Sequence, residues 1–288
     1  MDANLVKRIA FAAVAIPVAV GLVWLGGWPL ALLLAAVGAL GARELIEFAE
    51  RQGIRPSRTL GLGVAALFGP GAWLVLSSPR AWGVWSGGWM YLGAVWLIGV
   101  LSWALIRRGP TDRPLGAVAV TVLAPLYTAA LPAFLIGIRH AANGTRSWPG
   151  TALVFFPLVV TWVCDTAAMF GGRAVGGPKL APTVSPGKTR SGAIAGVLGA
   201  AVAAPLFAHL ALRPAGIQLS IAQAVAFGVV LSCVGQVGDL AESLFKREVG
   251  VKDSSALIPG HGGVLDRFDS LYFVVPVAAA LYRLFGIL

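Results

Sequence analysis

Charge is what this chain of 288 residues has least of. Asp, Glu, Lys and Arg make up 12% of it, half of the roughly 25% found in soluble globular domains. Too little polar surface remains to face water on all sides, so a water-soluble fold is excluded. Cysteine is scarcer still. The only two, Cys164 and Cys233, sit inside apolar runs, which excludes a disulfide framework and leaves them as packing residues. No internal repeat is evident, and the period-two alternation of a transmembrane β-barrel is missing. No polar segment is long enough to form a soluble domain of its own.

What the chain has instead is apolar length. It is 58% hydrophobic, with a mean hydropathy of +0.83. A membrane span needs about 20 mostly apolar residues, and its backbone groups must be paired internally, which long continuous runs achieve as helices. The breaks predict an all-α polytopic membrane protein of about nine transmembrane helices. The spans lie near residues 9–26, 28–48, 60–77, 88–106, 114–138, 151–170, 191–212, 219–238 and 268–287. Only "GGWP" parts the first two, so a re-entrant pair is the alternative there. The opening "NLVKRIAFAAVAIPVAVGLVW" has the basic start and apolar middle of a signal peptide, but another apolar run follows at once, and a first transmembrane helix is the better reading.

With the N-terminus in the cytoplasm, 17 of the 22 Lys and Arg residues fall on cytoplasmic segments and 5 on the opposite side. The positive-inside rule then puts the C-terminus on that opposite side of the cytoplasmic membrane. Two regions are expected: residues 1–140 with spans one to five, and 141–288 with spans six to nine and the cytoplasmic loops 171–190 and 239–268. The net charge of +10 is spread over short loops beside the membrane. Anionic lipid headgroups and a phosphorylated substrate are therefore the expected partners, and nucleic acid is not.

Seven of the twelve acids lie between residues 165 and 269. That asymmetry suits one site built by the C-terminal half, not the paired midplane acids of an inverted-repeat transporter. Continuing span eight as a helix puts Asp239, Glu242 and Lys246 on one face. Asp266 and Asp269, three apart at the start of span nine, also share a face, where like charges repel. A helix N-terminus offsets part of that repulsion, and a divalent cation offsets more. Oxygen-only ligands beside phosphates are what Mg²⁺ prefers. Asp239, Asp266 and Asp269 are thus the expected ligands of one or two Mg²⁺ ions, with a monovalent cation admitted beside them. The plainer reading makes Asp266 a helix cap and Arg267 a headgroup anchor. Asp165 stands inside span six, where an acid is costly and functional by default; an interhelical hydrogen bond or an ion pair with Arg173 is the alternative.

Lys246, Arg247 and Lys252 each satisfy the positive-inside rule without further purpose. Their neighbour "PGHGG", with Gly262 and Gly263, adds backbone that can approach a ligand closely and N–H groups that bind anions. His261 is a candidate proton carrier or phosphate contact, or else an ordinary loop histidine. The other polar loop, "GGRAVGGPKLAPTVSPGKTRSG", contains "PGKT", but a P-loop is excluded. The glycine required five residues before Gly187 is Pro182, and no strand is expected to precede it. Ser185, Lys188 and Thr189 remain: two hydroxyls and an ammonium near a helix start, groups that suit phosphate.

The run "SLFKREVGVKDSSALIPGHGGVLDRFD", residues 243–269, resembles the signature of the phosphatidate cytidylyltransferases, also called CDP-diacylglycerol synthases. That signature reads S-x-x-K-R, four residues, K-D, and after five more P-x-H-G-G-x-x-D-R-x-D. Ser243, Lys246, Arg247, Lys252, Asp253, Pro259, His261, Gly262, Gly263, Asp266, Arg267 and Asp269 match it. The match extends upstream to Gly238 and Asp239, to Asp165 and to "SPGKT". One position departs. Many members carry a glutamate two residues after the K-T pair, where this chain has Arg190 and Ser191, so that glutamate's role does not carry over.

The resemblance implies that CTP and phosphatidate are joined to give CDP-diacylglycerol and pyrophosphate, with Mg²⁺, at the cytoplasmic membrane face. It implies that Asp239 and Asp266, assisted by Asp269, hold the cations. Lys188, Lys246, Arg247, Lys252 and Arg267 would neutralise the triphosphate and the lipid phosphate, with His261 among the catalytic residues. Ser185, Thr189, Ser243, Gly262, Gly263 and Asp165 would contact substrate, and a homodimer is admitted. The rivals are a CTP-dependent lipid kinase and a transporter with a cation site. A CDP-alcohol phosphotransferase is disfavoured, since no D-G-x-x-A-R run occurs.

Overall fold

The computed structural model describes residues 3–78, 88–141, 144–258, 260 and 262–288. Pro259 and His261, singled out above, lie outside the described residues. The helices are α1 (Ala3–Leu25), α2 (Gly27–Arg51), α3 (Arg58–Ser77), α4 (Gly88–Arg107), α5 (Pro114–His140), α6 (Trp148–Val175), α7 (Arg190–Leu212), α8 (Ile221–Glu248) and α9 (Leu265–Leu284). Seven of them, α2 to α8, are long and apolar enough to cross a membrane. Their outer faces carry bare apolar side chains, with Leu105 84% and Leu115 82% exposed. A surface of that kind suits lipid and not water.

Two helices change pitch for a local reason. Pro125 directly precedes the π turn Leu126–Ala130 of α5, and Pro205 lies one turn before the π turn Ala208–Leu212 of α7. Proline has no N–H to give the preceding turn, and a local π adjustment re-pairs the carbonyls it strands. Helix α8 runs ten residues beyond the predicted end of span eight, as far as Glu248. A larger departure lies between α6 and α7. The sequence predicts a loop without a strand, whereas the structure has an antiparallel hairpin, β1 (Lys179–Ala181) and β2 (Ser185–Thr189), pairing Lys179 with Thr189 and Ala181 with Ser185. The strand β1 therefore precedes the motif, against the sequence expectation; a P-loop remains excluded because Pro182 stands where its glycine is required and "SPGKT" is itself the strand β2.

The chain divides into two compact units. One holds Gly27–Gly137 and Val249–Arg267, with residues up to Ala15; the other holds Ile16–Gly26, Ile138–Glu248 and Phe268–Leu288. In the first, α2 and α3 approach at Gly69, where any Cβ would strike the Ala31 carbonyl. Small residues that let backbones close up are the usual means of helix association in lipid. Thr128, in the π turn of α5, donates to Gly38 O at 2.8 Å and so fastens α5 to α2.

In the second unit the core is aromatic. The Phe227 and Tyr282 rings lie 4.8 Å apart and the Phe156 and Phe227 rings 5.2 Å apart. The buried Tyr282 hydroxyl donates to Leu153 O at 2.8 Å. Arg139, fully buried, donates to Val23 O and Trp24 O at the end of α1 and to Gly144 O. Its guanidinium fork supplies partners to carbonyls that a helix end leaves unpaired. Arg139→Lys is expected to cost about 2–3 kcal/mol, because an ammonium cannot span both helix carbonyls and a buried acceptor is left unmet. The unfolding midpoint in detergent measures this, and an unchanged midpoint would refute it.

Candidate active site

Close helix contacts assemble the charged end of the second unit. Gly192, Gly196 and Gly199 on α7 face Ala168, Cys164 and Ala167 on α6; a Cβ on Gly196 would lie 3.0 Å from Cys164 Sγ. On α8, a Cβ on Gly238 would lie 2.8 Å from Asp269 O of α9. These glycines let three acid-bearing helices come together. Asp165 on α6, Asp239 on α8 and Asp269 on α9 consequently lie within electrostatic reach of one another, with Lys188 acting on Asp165 and Lys246 on Asp269. The charges felt by Asp165 are Asp239 and Lys188, not the Arg173 considered from sequence.

Asp239 is the centre of this group. Lys188, near the end of β2, forms an ion pair with its Oδ2. Ser243, one turn along α8, donates to its Oδ1 over a long 3.4 Å. Lys246 pairs with Glu242 at 2.5 Å, and both are buried. The exposed Arg247 donates through Nε to Val184 O at 3.1 Å, fastening the hairpin turn to α8. Thr189 caps α7, its Oγ1 accepting from Gly192 N at 3.1 Å, and shares a hydrogen bond of 3.0 Å with Ser191. Ser191 in turn donates to Gly176 O. The residue standing in place of the family's glutamate therefore ties the hairpin to the end of α6. Ser185 opens β2, half-buried.

Three carboxylates thus lie near two ammonium groups: Lys188 acts on Asp165 and Asp239, and Lys246, which also pairs with Glu242, acts on Asp269. Such a cluster would repel a triphosphate unless a cation stood between them. Among the described residues no three His, Cys, Asp or Glu side chains converge as a ready cage for a metal. Mg²⁺ needs no cage: it binds through one or two carboxylates plus substrate phosphates and keeps several waters. The all-oxygen donors here fit that ion.

Of the other signature residues that are described, Lys252, Asp253, Gly262, Gly263, Asp266 and Arg267 belong to the first unit. Asp266 is buried, and its Oδ2 accepts from Ser254 N at 2.7 Å, Ser254 Oγ at 2.7 Å and Gly263 N at 2.8 Å. The two glycines of the signature are required by these acids. Gly262 has φ +78° and a Cβ there would sit 2.6 Å from Asp266 Oδ2, while a Cβ on Gly263 would strike Ser254 Oγ and Glu44 Oε1. Lys252 and Arg267 are exposed.

Glu44 is the residue that sequence reasoning missed. It lies on α2, only 3% exposed. Its Oε1 accepts from Ser255 Oγ at 2.6 Å and Val264 N at 3.0 Å, and its Oε2 from Leu265 N at 2.8 Å and Ser254 Oγ at 2.9 Å. A signal was present. Glu47 has Arg43 four residues away and pairs with it, and Glu50 pairs with Arg58. The positions three and four residues from Glu44 hold no base.

Comparisons with known proteins identify the family. The model of the cytidylyltransferase family matches residues 6–285. The phosphatidate cytidylyltransferase of Brucella suis biovar 1 (strain 1330) is 36% identical over 98% of this chain and 93% of its own. Those of Haemophilus influenzae and Bacillus subtilis are 46% and 38% identical, over 46% and 59% of this chain and 46% and 60% of theirs. With nearly its whole length matched, the chain belongs to the cytidylyltransferase family.

Proposed function

We propose that this chain is a phosphatidate cytidylyltransferase, joining CTP and phosphatidate to give CDP-diacylglycerol and pyrophosphate. The observation that carries the reading is the match, over almost the whole chain, to relatives that bear that name. A phosphate oxygen of phosphatidate attacks the α-phosphorus of CTP. The new P–O bond forms as the bond from that phosphorus to the bridging β-phosphate oxygen breaks, and pyrophosphate leaves with the electron pair. Such a displacement needs positioning and charge neutralisation more than a covalent nucleophile.

The residues divide that labour. Lys188 exchanges part of its contact with Asp239 for a phosphate oxygen, and Arg247, Lys252 and Arg267 add positive charge. Lys246, paired with Glu242, contributes mainly by balancing the acids around it. Mg²⁺, when bound, neutralises phosphate charge; Asp239 and Asp269 would hold it, and Asp266 shares that assignment through its place in the signature. Asp165, Ser185, Thr189, Ser243, Gly262 and Gly263 complete the substrate contacts, and His261 is assigned a catalytic part through its place in the signature. The distribution of Lys and Arg supports nine spans with the N-terminus and the site on the cytoplasmic face. Anionic lipids gather at that basic face, and a homodimer is the proposed assembly.

The test is a product assay on detergent-purified protein supplied with CTP, phosphatidate and Mg²⁺. CDP-diacylglycerol and pyrophosphate are expected in equal amounts, lost on adding EDTA and regained with excess Mg²⁺. Lipid phosphate and CDP formed from a lipid alcohol would instead favour the kinase. No product of either kind from folded protein would end the reading.

A further inference from the structure

We infer that Glu44 is a positioning residue for the reaction, holding the first turn of α9, which carries Asp266, and the serines before it through hydrogen bonds from residues 210 to 221 positions later in the chain. The inference rests on the function proposed above. Among the described residues, the donors to Glu44 lie in residues 254–265, within the signature region, and none comes from its own helix. Two are hydroxyls, from Ser254 and Ser255. Two are the backbone N–H groups of Val264 and Leu265, at the start of α9, where a helix has no internal acceptors to offer. A negative charge there is favoured by the helix dipole as well. Glu44 is thus a cap for α9 supplied by a distant helix.

The network does not stop at Glu44. Ser254 Oγ lies 2.9 Å from Glu44 Oε2 and 2.7 Å from Asp266 Oδ2, and Ser254 N also donates to Asp266. The one hydroxyl proton of Ser254 is therefore shared between the two carboxylates, and its N–H belongs to Asp266. Gly263 is wedged so closely between Ser254 and Glu44 that it can bear no side chain. Removing the Glu44 carboxylate releases Ser254, Ser255 and the first turn of α9 together, and with them the orientation of Asp266. A role in plain packing would be served better by an apolar side chain, since a buried carboxylate loses its hydration. The carboxylate is there for its donors.

The experiment compares Glu44→Gln, Glu44→Asp and Ser254→Ala in the full-length protein. Three quantities are read: kcat and KM for CTP, the thermal midpoint, and the rate of protease cleavage within residues 249–263. Glu44→Gln keeps the size of the side chain but puts a donor where acceptors are needed. It is expected to lower kcat by about 100-fold, the effect of a displacement of about 1 Å at a distance from the chemistry, with KM nearly unchanged, the midpoint lowered by only about 5 °C and cleavage faster. Glu44→Asp recovers part of kcat. Ser254→Ala, which loses fewer bonds, falls about 10-fold.

Full kcat in Glu44→Gln overturns the inference, and so does a loss that merely follows the unfolded fraction. If Glu44→Gln does not fold, Ser254→Ala decides, and wild-type kcat with unchanged cleavage in that variant overturns it equally. A wild-type protein that makes no CDP-diacylglycerol defeats the proposed function instead. Cleavage then still tests the loop: an unchanged rate in both variants removes the role of Glu44 as well.

Discussion

Asp239→Asn is expected to lower turnover by about three orders of magnitude while the protein stays inserted and folded. Two unit charges some 4 Å apart interact by roughly 4 kcal/mol at an effective dielectric near 20, which is close to three powers of ten in rate. That is the interaction an uncharged side chain can no longer make with a cation or with Lys188 during phosphoryl transfer. The effect on stability is much smaller. Asn keeps the shape and can still accept from Ser243, and the Lys188–Asp239 pair is 28% exposed on both sides, so solvent already screens it. A double variant separates the two readings of the pair. If Asp239 only holds Lys188 in place, Asp239→Asn with Lys188→Met is no slower than Lys188→Met alone. If Asp239 takes part in the reaction, the double variant is slower still. Turnover of Asp239→Asn within 10-fold of wild type would remove it from the reaction.

Glu242→Gln has its largest effect elsewhere, on folding. Its partner Lys246 is 9% exposed and Glu242 itself 1%, so the variant takes from a buried ammonium the carboxylate paired with it. Breaking a buried pair from one side costs about 3–5 kcal/mol, which for a chain of this size lowers the thermal midpoint by about 10 °C. Removing both charges reverses the loss: Glu242→Met with Lys246→Met recovers most of the midpoint, because well-packed apolar residues replace a buried pair at little or no cost. A single variant as stable as wild type would show that the pair is not what holds this part of α8.

Much of the fold was legible from hydropathy alone. The predicted spans 60–77, 88–106 and 191–212 differ from α3, α4 and α7 by no more than two residues at either end. Where the prediction fell short, the cause is physical. Hydropathy alone ends span eight at residue 238; it was the same-face spacing of Asp239, Glu242 and Lys246 that carried the helix on, and α8 does run to Glu248. The β1–β2 hairpin is held by a three-residue strand against a five-residue one that contains Pro and Gly, too short for any periodicity to show. At the site, the signature residues were legible because their types and spacings are so specific. Their pairing was less so: same-face spacing foresaw Glu242 with Lys246, but nothing along the chain joins Lys188 to Asp239. Glu44 was the hardest to see. Its role depends on residues over 200 positions away, and it stands beside two glutamates that look alike in sequence but find ordinary basic partners.

The bonds to Glu44 also order events during synthesis. Helix α2 leaves the ribosome long before Ser254 exists, and at about 5–20 residues per second the 210 intervening residues take roughly 10–40 s to make. For that interval the newly inserted helix carries an acid whose permanent donors have not yet been translated. The first unit therefore closes only when the last polar stretch arrives, and a ribosome stalled before it leaves a bundle of inserted helices with that acid still without those donors. Completion of the signature is the final step in building the part of the molecule that began first.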